Sequence, residues 1–125
     1  MNSEFETIFA RLRAMLGSHS TRLKVNADTP DHFCLEVPFS PKFKKAFPVA
    51  WVKVSKSYVS YHFMPVYMFP QLRDGLSKKL RARMQGKSCF NFKVPDEVLF
   101  EELEELTTQG FAMACKTGFG PEQKL

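Results

Sequence analysis

The chain has 125 residues, a length that fits one domain with its own hydrophobic core. Its 44% hydrophobic content is ordinary for a globular protein, and its three cysteines form neither a C-x-x-C motif nor a disulfide framework. The net charge of +5 is divided unevenly, since residues 71–93 carry seven bases and one acid whereas residues 96–106 carry six acids and no base. The chain is therefore a charge dipole along its sequence more than a uniformly basic protein, which weakens the case for nucleic-acid binding.

The first predicted element is an amphipathic helix near the N-terminus. Its apolar residues recur at the i, i+3, i+4 spacing that gives one buried stripe: Phe5, Ile8, Phe9, Leu12, Met15 and Leu16. Ser3 and Glu6 have the spacing of a capping box, and Gly17 can end the helix.

Four strands are predicted next. They cover residues 22–27, 32–37, 49–55 and 58–64, with a turn at Asp28–Asp31 and a tight connection at Lys56 and Ser57. A basic loop closed by Pro48 precedes the third strand, and Pro38 is expected either to end the second strand or to mark a sheet edge.

The second half of the chain is predicted to contain two helices around one more strand. Pro65 and Pro70 bracket residues 66–69, which should be irregular or form a short helical turn. Leu76, Leu80 and Met84 predict a helix of about three turns that begins near Asp74 or Ser77 and ends at Gly86. Residues 88–94 predict a strand with Phe90, Phe92 and Val94 inward.

The last helix is expected to begin at Asp96, a natural N-cap. Leu99, Leu103, Leu106 and Gly110 share one of its faces, and Gly110 marks either close packing or a break, because glycine costs about 1 kcal/mol relative to alanine inside a helix. Residues 116–125 are expected to be a flexible tail.

These elements predict an α+β fold. No crossover helices of the length required between parallel strands are present, so the sheet of about five strands should be mainly antiparallel. Both terminal helices should bury their stripes on one face of this two-layer domain, which spans residues 1–125, with the short helix inserted before the last strand.

A first candidate site is a ligand pocket on the opposite face of the sheet. In the stretch SYHFMP, strand alternation points Tyr58, His62 and Met64 to the side away from Val59, Tyr61 and Phe63, and Trp51 of the neighbouring strand can join them. A cavity with few polar groups is the usual makeup of a small-molecule site. The alternative is that the basic helix half-covers this face and that Tyr58 and His62 bond each other or water.

A catalytic pair is a further alternative. Cys89 would lie near His62 if their strands pair, and the two would then resemble a nucleophile and its base. No His, Cys and Asp residues have metal-site spacing, and the cysteines are otherwise interpreted as small buried hydrophobic residues. We therefore expect no enzyme activity.

A second candidate site is the acidic face of the last helix. Glu97, Glu101, Glu104 and Glu105 recur at i, i+4 and i+7 to i+8, a like-charge spacing that destabilises a helix unless something offsets it. A weakly bound hard cation or iron would do so. The alternative is a solvated face neutralised by the basic segment.

The basic segment is the third candidate. Lys78, Lys79, Arg81, Arg83 and Lys87 would attract a phosphate-rich partner. Gly86-Lys87-Ser88 is not a phosphate-binding loop, because the first glycine of that motif is missing and the residues enter a strand.

The stretches YHFMP, GKSCFNF and the acidic final helix resemble the YdhG-like family of small domains, over about residues 49–111. That family is loosely tied to frataxin-like iron chaperones. The resemblance implies a small α+β domain with terminal helices on an antiparallel sheet, and a role in binding iron and delivering it to a scaffold protein. The final-helix carboxylates are the residues that could carry that role here.

The sequence as a whole predicts a small cytoplasmic binding module. The N-terminal stretch MNSEFETIFARLRAML is not a signal peptide, and no apolar run approaches the roughly 20 residues that span a membrane. Iron or another divalent cation, a small ligand, a protein partner and a homodimer all stay open.

Overall fold

The computed structural model describes residues 3–20, 23–40 and 44–117, except the side chains of residues 38–40 and 115–117. Its helices are α1 (Ser3–Gly17), α2 (Met64–Met68), α3 (Pro70–Asp74), α4 (Lys78–Arg81) and α5 (Glu97–Thr117). Its strands are β1 (Lys24–Thr29), β2 (His32–Ser40), β3 (Lys45–Val54), β4 (Val59–Phe63), β5 (Met84–Gln85) and β6 (Cys89–Phe92). The predicted α+β fold is confirmed.

The six strands form one antiparallel sheet in the order β1-β2-β3-β4-β6-β5. Ala50 lies opposite Phe63, and Val52 lies opposite Tyr61, so these apolar side chains point to the same face. Four residues on the neighbouring strands point to the same face, namely Phe33, Leu35, Phe90 and Phe92. All of these residues are buried.

The two long helices cover this apolar face together. The six predicted stripe residues of α1 are all buried. On α5, Phe100 packs edge-on against Phe92 of the sheet, and Phe111 packs edge-on against Phe63. Because Phe63 and Phe92 belong to the same face, the predicted two-layer arrangement is confirmed, and the core lies between the helices and the sheet.

Gly110 lets α5 approach the sheet closely. A Cβ atom at this position would overlap the Phe63 ring, with Cζ only 2.6 Å away, and would lie 3.1 Å from Cβ of Pro65. Glycine is the residue that permits such an approach. Of the two roles predicted for Gly110, close packing is therefore correct, and the helix continues past it to Thr117.

One buried polar contact crosses the core. The Tyr61 hydroxyl lies 2.6 Å from Oγ1 of Thr107, which donates to the Leu103 carbonyl at 2.8 Å. Both Tyr61 and Thr107 are fully buried, so their hydrogen bonds compensate for the loss of water. Burial also raises the pKa of Tyr61 well above its ordinary value, which keeps the phenol neutral.

The predicted helix over residues 76–86 is wrong in extent. It is confined to α4, where the Leu80 N–H donates to the Ser77 hydroxyl, and the chain then turns into β5. Met84, expected on the helical face, instead pairs with Phe90 across the outermost strand pair of the sheet. The strand that was not predicted, β5, has two residues, which are too few to show the alternation of a strand.

Several predicted boundaries also shift. Lys45–Pro48 belong to β3 rather than to a loop, and β2 continues past Pro38, with irregular register at both places. Of the proline-bracketed residues 66–69, residues 66–68 belong to the short helix α2, as one of the two alternatives predicted, whereas α3 begins beyond them at Pro70. Val94 is 58% exposed and lies beyond β6, so its predicted inward position is wrong. The predicted tail overlaps α5 through Thr117, and its remainder lies outside the described residues.

Candidate ligand site on the open face of the sheet

The face of the sheet opposite the helices carries a row of four chemically distinctive side chains. Strand pairing places Cys34 opposite Trp51, Trp51 opposite His62, and His62 opposite Cys89. The row therefore crosses β2, β3, β4 and β6. Trp51, His62 and Cys89 are half-buried, so this face, which we call the open face, is reached by solvent.

Trp51 and His62 form a stacked pair in the middle of the row. Their ring centroids lie 4.6 Å apart, and their planes are inclined by 14°. An offset stack of this kind contributes about 0.5–1.5 kcal/mol beyond the area it buries. The stack also restricts the orientation of both rings, and the Trp51 indole projects from the open face of the sheet.

Cys89 lies on the other side of His62. Its Sγ is 3.6 Å from Nε2 of His62 and donates to Oδ1 of Asn91 at 3.3 Å. The Asn91 amide in turn donates to Oε1 of Gln85 at 2.7 Å, which holds it in place. The strands of Cys89 and His62 therefore pair, and the two side chains lie close together, as the sequence predicted for that case.

Burial sets the charge of this pair. It raises the pKa of the Cys89 thiol, although a hydrogen bond with Ser60 acts in the opposite direction. Burial and the nearby His32 lower the pKa of His62. Both shifts favour a neutral thiol beside a neutral imidazole, and a nucleophilic thiolate is therefore disfavoured in the free protein.

A hollow of about 250 Å³ lies on the Cys34 side of the row. Its walls come from β1, β2 and β3, and none comes from β4, so Trp51 separates it from His62. The Cys34 thiol is buried at its edge, and burial raises the pKa of this thiol. The lining residues are Asn26, His32, Cys34, Pro48 and Trp51.

Of the four predicted pocket residues, two meet and two lie at the ends of β4. Trp51 and His62 stack, as described. Tyr58 precedes β4, and its carbonyl accepts hydrogen bonds from the backbone and hydroxyl of Ser55 at 2.9 Å. Met64 is the first residue of α2. Neither Tyr58 nor Met64 lines the hollow.

Sequence reasoning missed the hollow because its walls come from strands whose neighbours were unknown. Alternation already placed His32 and Cys34 on the same side of their strand. Only the β2–β3 register, which sets Cys34 opposite Trp51, brings them to the indole. Asn26 of β1 had no signal of its own, since β1 alternates weakly.

Two carboxylates on the acidic face of α5 pair with an arginine of α1. Arg11 forms ion pairs with Glu97 at 3.0 Å and with Glu104 at 3.4 Å. Glu101 and Glu105, the other two predicted metal ligands, are exposed. No group of three or more His, Cys, Asp and Glu residues is placed to hold a metal ion in the part of the chain that the structure describes.

The predicted basic patch is exposed, and some of its charges have local partners. The Arg81 guanidinium donates to the Arg73 carbonyl and pairs with Asp74 at 3.7 Å. The Lys87 ammonium lies 6.0 Å from the centre of the Tyr67 ring. Lys78, Lys79 and Arg83 are exposed. The patch thus offers a solvated cationic surface, and nucleic-acid or phosphate binding there stays a prediction.

Comparison with known proteins adds no function. No family model, no curated protein and no solved structure matches the chain. The resemblance to the YdhG-like family, and the iron-chaperone role it implies, therefore stay predictions. Among the described residues, no helix is both long and apolar enough to cross a membrane.

Proposed function

We propose that this protein is a binding module that holds a small planar molecule in the hollow beside Trp51. The observation that supports it best is the stack of Trp51 on His62. His62 braces the indole from the β4 side while the hollow lies on the opposite side, so a flat ligand would stack against an already oriented ring. Such preorganisation lowers the entropic cost of binding.

The size and lining of the hollow limit the class of ligand. At about 250 Å³ it is slightly smaller than the usual drug-sized pocket of roughly 300–1,000 Å³, which favours a molecule of one or two rings. The Asn26 amide and the His32 imidazole supply donors and acceptors at the rim. A heteroaromatic compound with a polar edge fits this lining.

Ion pairing makes the open face a better candidate than the acidic helix. A cation bound at Glu97 and Glu104 would have to displace the Arg11 guanidinium from both carboxylates. Iron delivery is therefore kept as a separate hypothesis, to be tested through Arg11.

The unique tryptophan provides the test. Trp51 is the only tryptophan in the chain, so its indole N–H gives a single, assignable NMR signal. We would titrate the protein with quinoline and a panel of other one- and two-ring heteroaromatic compounds. We expect a saturable shift of the indole signal and of neighbouring amides in β2.

A matched pair of variants gives the control. His32 and Lys53 lie opposite each other on the open face, but only His32 lines the hollow. His32→Ala should weaken binding, whereas Lys53→Ala should leave it unchanged. A panel that moves no indole signal at millimolar concentration, or equal losses in the two variants, would count against the proposal.

A further inference from the structure

A second hollow, also of about 250 Å³, lies at the start of α5. Its walls come from α4 and the turn that follows it, from the end of β6, and from the segment that joins β6 to α5. It shares no lining residue with the hollow beside Trp51. Whatever binds here is therefore independent of the ligand proposed for the open face.

This second hollow has an apolar floor. Phe92 and Leu99 line it and are buried, and the Phe92 ring is held edge-on by Phe100. Val94 also lines the hollow and is 58% exposed, so the apolar part of a ligand would remove some of this side chain from water. The floor therefore suits a compact apolar group.

Three cationic residues line the same hollow, namely Lys79 of α4, Arg83 just after α4, and Lys93 just after β6. The Asn91 N–H donates to the Arg83 carbonyl at 2.8 Å, which holds the turn after α4 against β6 and brings these segments together. All three side chains are exposed, and none of them forms an ion pair among the residues that the structure describes. Because like charges held near one another repel, an anion bound between them would relieve that repulsion.

The one carboxylate that lines this hollow is used to cap α5. Oδ1 of Asp96 accepts from the Leu99 N–H at 3.2 Å. Three positive charges therefore face a single negative one, and the N-terminus of the long helix α5 adds to the positive potential. The apolar floor strengthens this potential, since walls of low dielectric concentrate the field inside a cleft.

We propose that the hollow at the start of α5 binds a small organic anion, in which a phosphate or carboxylate group is attached to one ring or a short apolar chain. The anionic group lies among Lys79, Arg83 and Lys93, and the apolar part covers Phe92 and Leu99. A guanidinium donates two parallel hydrogen bonds to either kind of group, and the ammonium groups add point charges. A volume of about 250 Å³ limits the apolar part to about the size of one ring.

Phenyl phosphate is a suitable probe, because it combines one ring with a phosphate group. We would titrate the protein with it and follow the backbone amide and methyl NMR signals. We expect saturable shifts of the Leu99 methyl groups and of amides in residues 92–99, with no shift of the Trp51 indole signal. Shifts confined to the surroundings of Trp51 would place the compound in the other hollow and would overturn this proposal while leaving that one standing.

Related compounds separate the charged group from the apolar part. Benzyl alcohol, which is neutral, and inorganic phosphate, which has no ring, should each bind roughly tenfold more weakly than phenyl phosphate. The affinity for phenyl phosphate should also fall several-fold between about 50 and about 300 mM salt, because exposed charges are screened. Benzoate tests the carboxylate, and binding of either anion alone would support the proposal and identify the preferred group. Equal affinity for benzyl alcohol or for inorganic phosphate would overturn the proposal.

Two adjacent lysines of α4 provide matched variants. Lys78 and Lys79 are both exposed and carry the same charge, but only Lys79 lines the hollow. Lys79→Ala should weaken binding of phenyl phosphate by about two- to fivefold, the range for exposed charge pairs, and Arg83→Gln by roughly tenfold. Lys78→Ala should change the affinity by less than about twofold.

Equal losses in Lys78→Ala and Lys79→Ala would mean that the basic surface attracts anions without a defined site, and would refute the proposal. Parent-like affinity in Arg83→Gln would refute it as well. Circular dichroism verifies the fold of each variant. The comparison of compounds uses the unaltered protein, so it decides the question even if a variant fails to fold.

Discussion

Substituting Gly110 by alanine sets helix propensity against core packing. In an exposed helix, alanine would be favoured over glycine by about 1 kcal/mol. In α5 the added methyl group would overlap the ring of Phe63, whose Cζ lies 2.6 Å from the Cβ position. Phe63 is fully buried and held edge-on by Phe111, so its ring has little room to move.

The packing term should prevail. Overpacking a filled core costs about 1–3 kcal/mol, and an approach of 2.6 Å belongs at the upper end of that range. After the gain in helix propensity, we expect Gly110→Ala to lower the free energy of unfolding by roughly 2 kcal/mol. For a chain of this length, the melting temperature should fall by roughly 6–10 °C.

Urea unfolding followed by Trp51 fluorescence and circular dichroism measures this change. Gly17→Ala is the matched control, because a Cβ at Gly17 at the end of α1 meets no atom within 4 Å. Phe63→Leu should make Gly110→Ala less costly, so the double variant should be less destabilised than the sum of the single variants. Equal or greater stability of Gly110→Ala relative to the parent would show that the close approach does not explain this glycine.

Three further predictions concern polar groups. Tyr61→Phe should cost about 1–2 kcal/mol in urea unfolding, because it removes the hydrogen bond between the Tyr61 hydroxyl and the buried Thr107, whereas the exposed Tyr67→Phe should be neutral. Arg11→Gln should cost about 1 kcal/mol or less, with a loss that shrinks at high salt, and should strengthen binding of ferrous iron to α5; unchanged iron affinity would refute competition by the guanidinium. Burial lowers the pKa of His19 below its ordinary value of 6.5, against the weaker opposing effect of Glu104, so the unfolded chain takes up the proton first. The free energy of unfolding should then fall as the pH drops below about 6.5, and His19→Gln should reduce that fall; an identical pH profile would contradict this assignment.

The parts of the fold that the sequence predicted correctly have a long, regular pattern. The stripe of α1 runs without a break from Phe5 to Leu16, and α5 begins at Glu97, directly after Asp96, whose carboxylate accepts from the Leu99 N–H at 3.2 Å. Tyr61 and Phe63 alternate with His62 along β4, which identified the core face of that strand. In each case, the residues that predict the element all lie within that one segment of the chain.

The predictions that failed depended on contacts between distant segments. Met84 has helical spacing with Leu80, but pairing with Phe90 draws it into β5. The alternative to a bound cation on the acidic face of α5 was neutralisation by the basic segment, whereas Arg11, distant in sequence, pairs with Glu97 and Glu104. Periodicity predicts which side of an element is buried, but it does not identify the neighbouring element.

The candidate site also depends on which strands are neighbours, which periodicity does not predict. Alternation assigned Trp51 and His62 to the open face, yet their stack requires the β3–β4 register. Adding Cys89 requires that β6, rather than β5, pair with β4. Each step is a pairing between strands, and a shift of one residue in any of them would send the side chain to the core face.

Packing of the helix layer accounts for the core face of the sheet but not for the composition of the open face. A solvent-facing strand surface is satisfied by polar side chains with good strand propensity, such as the Lys53 that β3 places there. The row instead places Trp51, His62 and Cys89 half-buried where solvent reaches them, with the buried Cys34 at its end. Beyond the aromatic stack and the contacts of Cys89 with His62 and Asn91, its donors and its flat ring suit a ligand. We propose ligand binding as the explanation for this row, which lies on the side of the sheet that the helices leave uncovered.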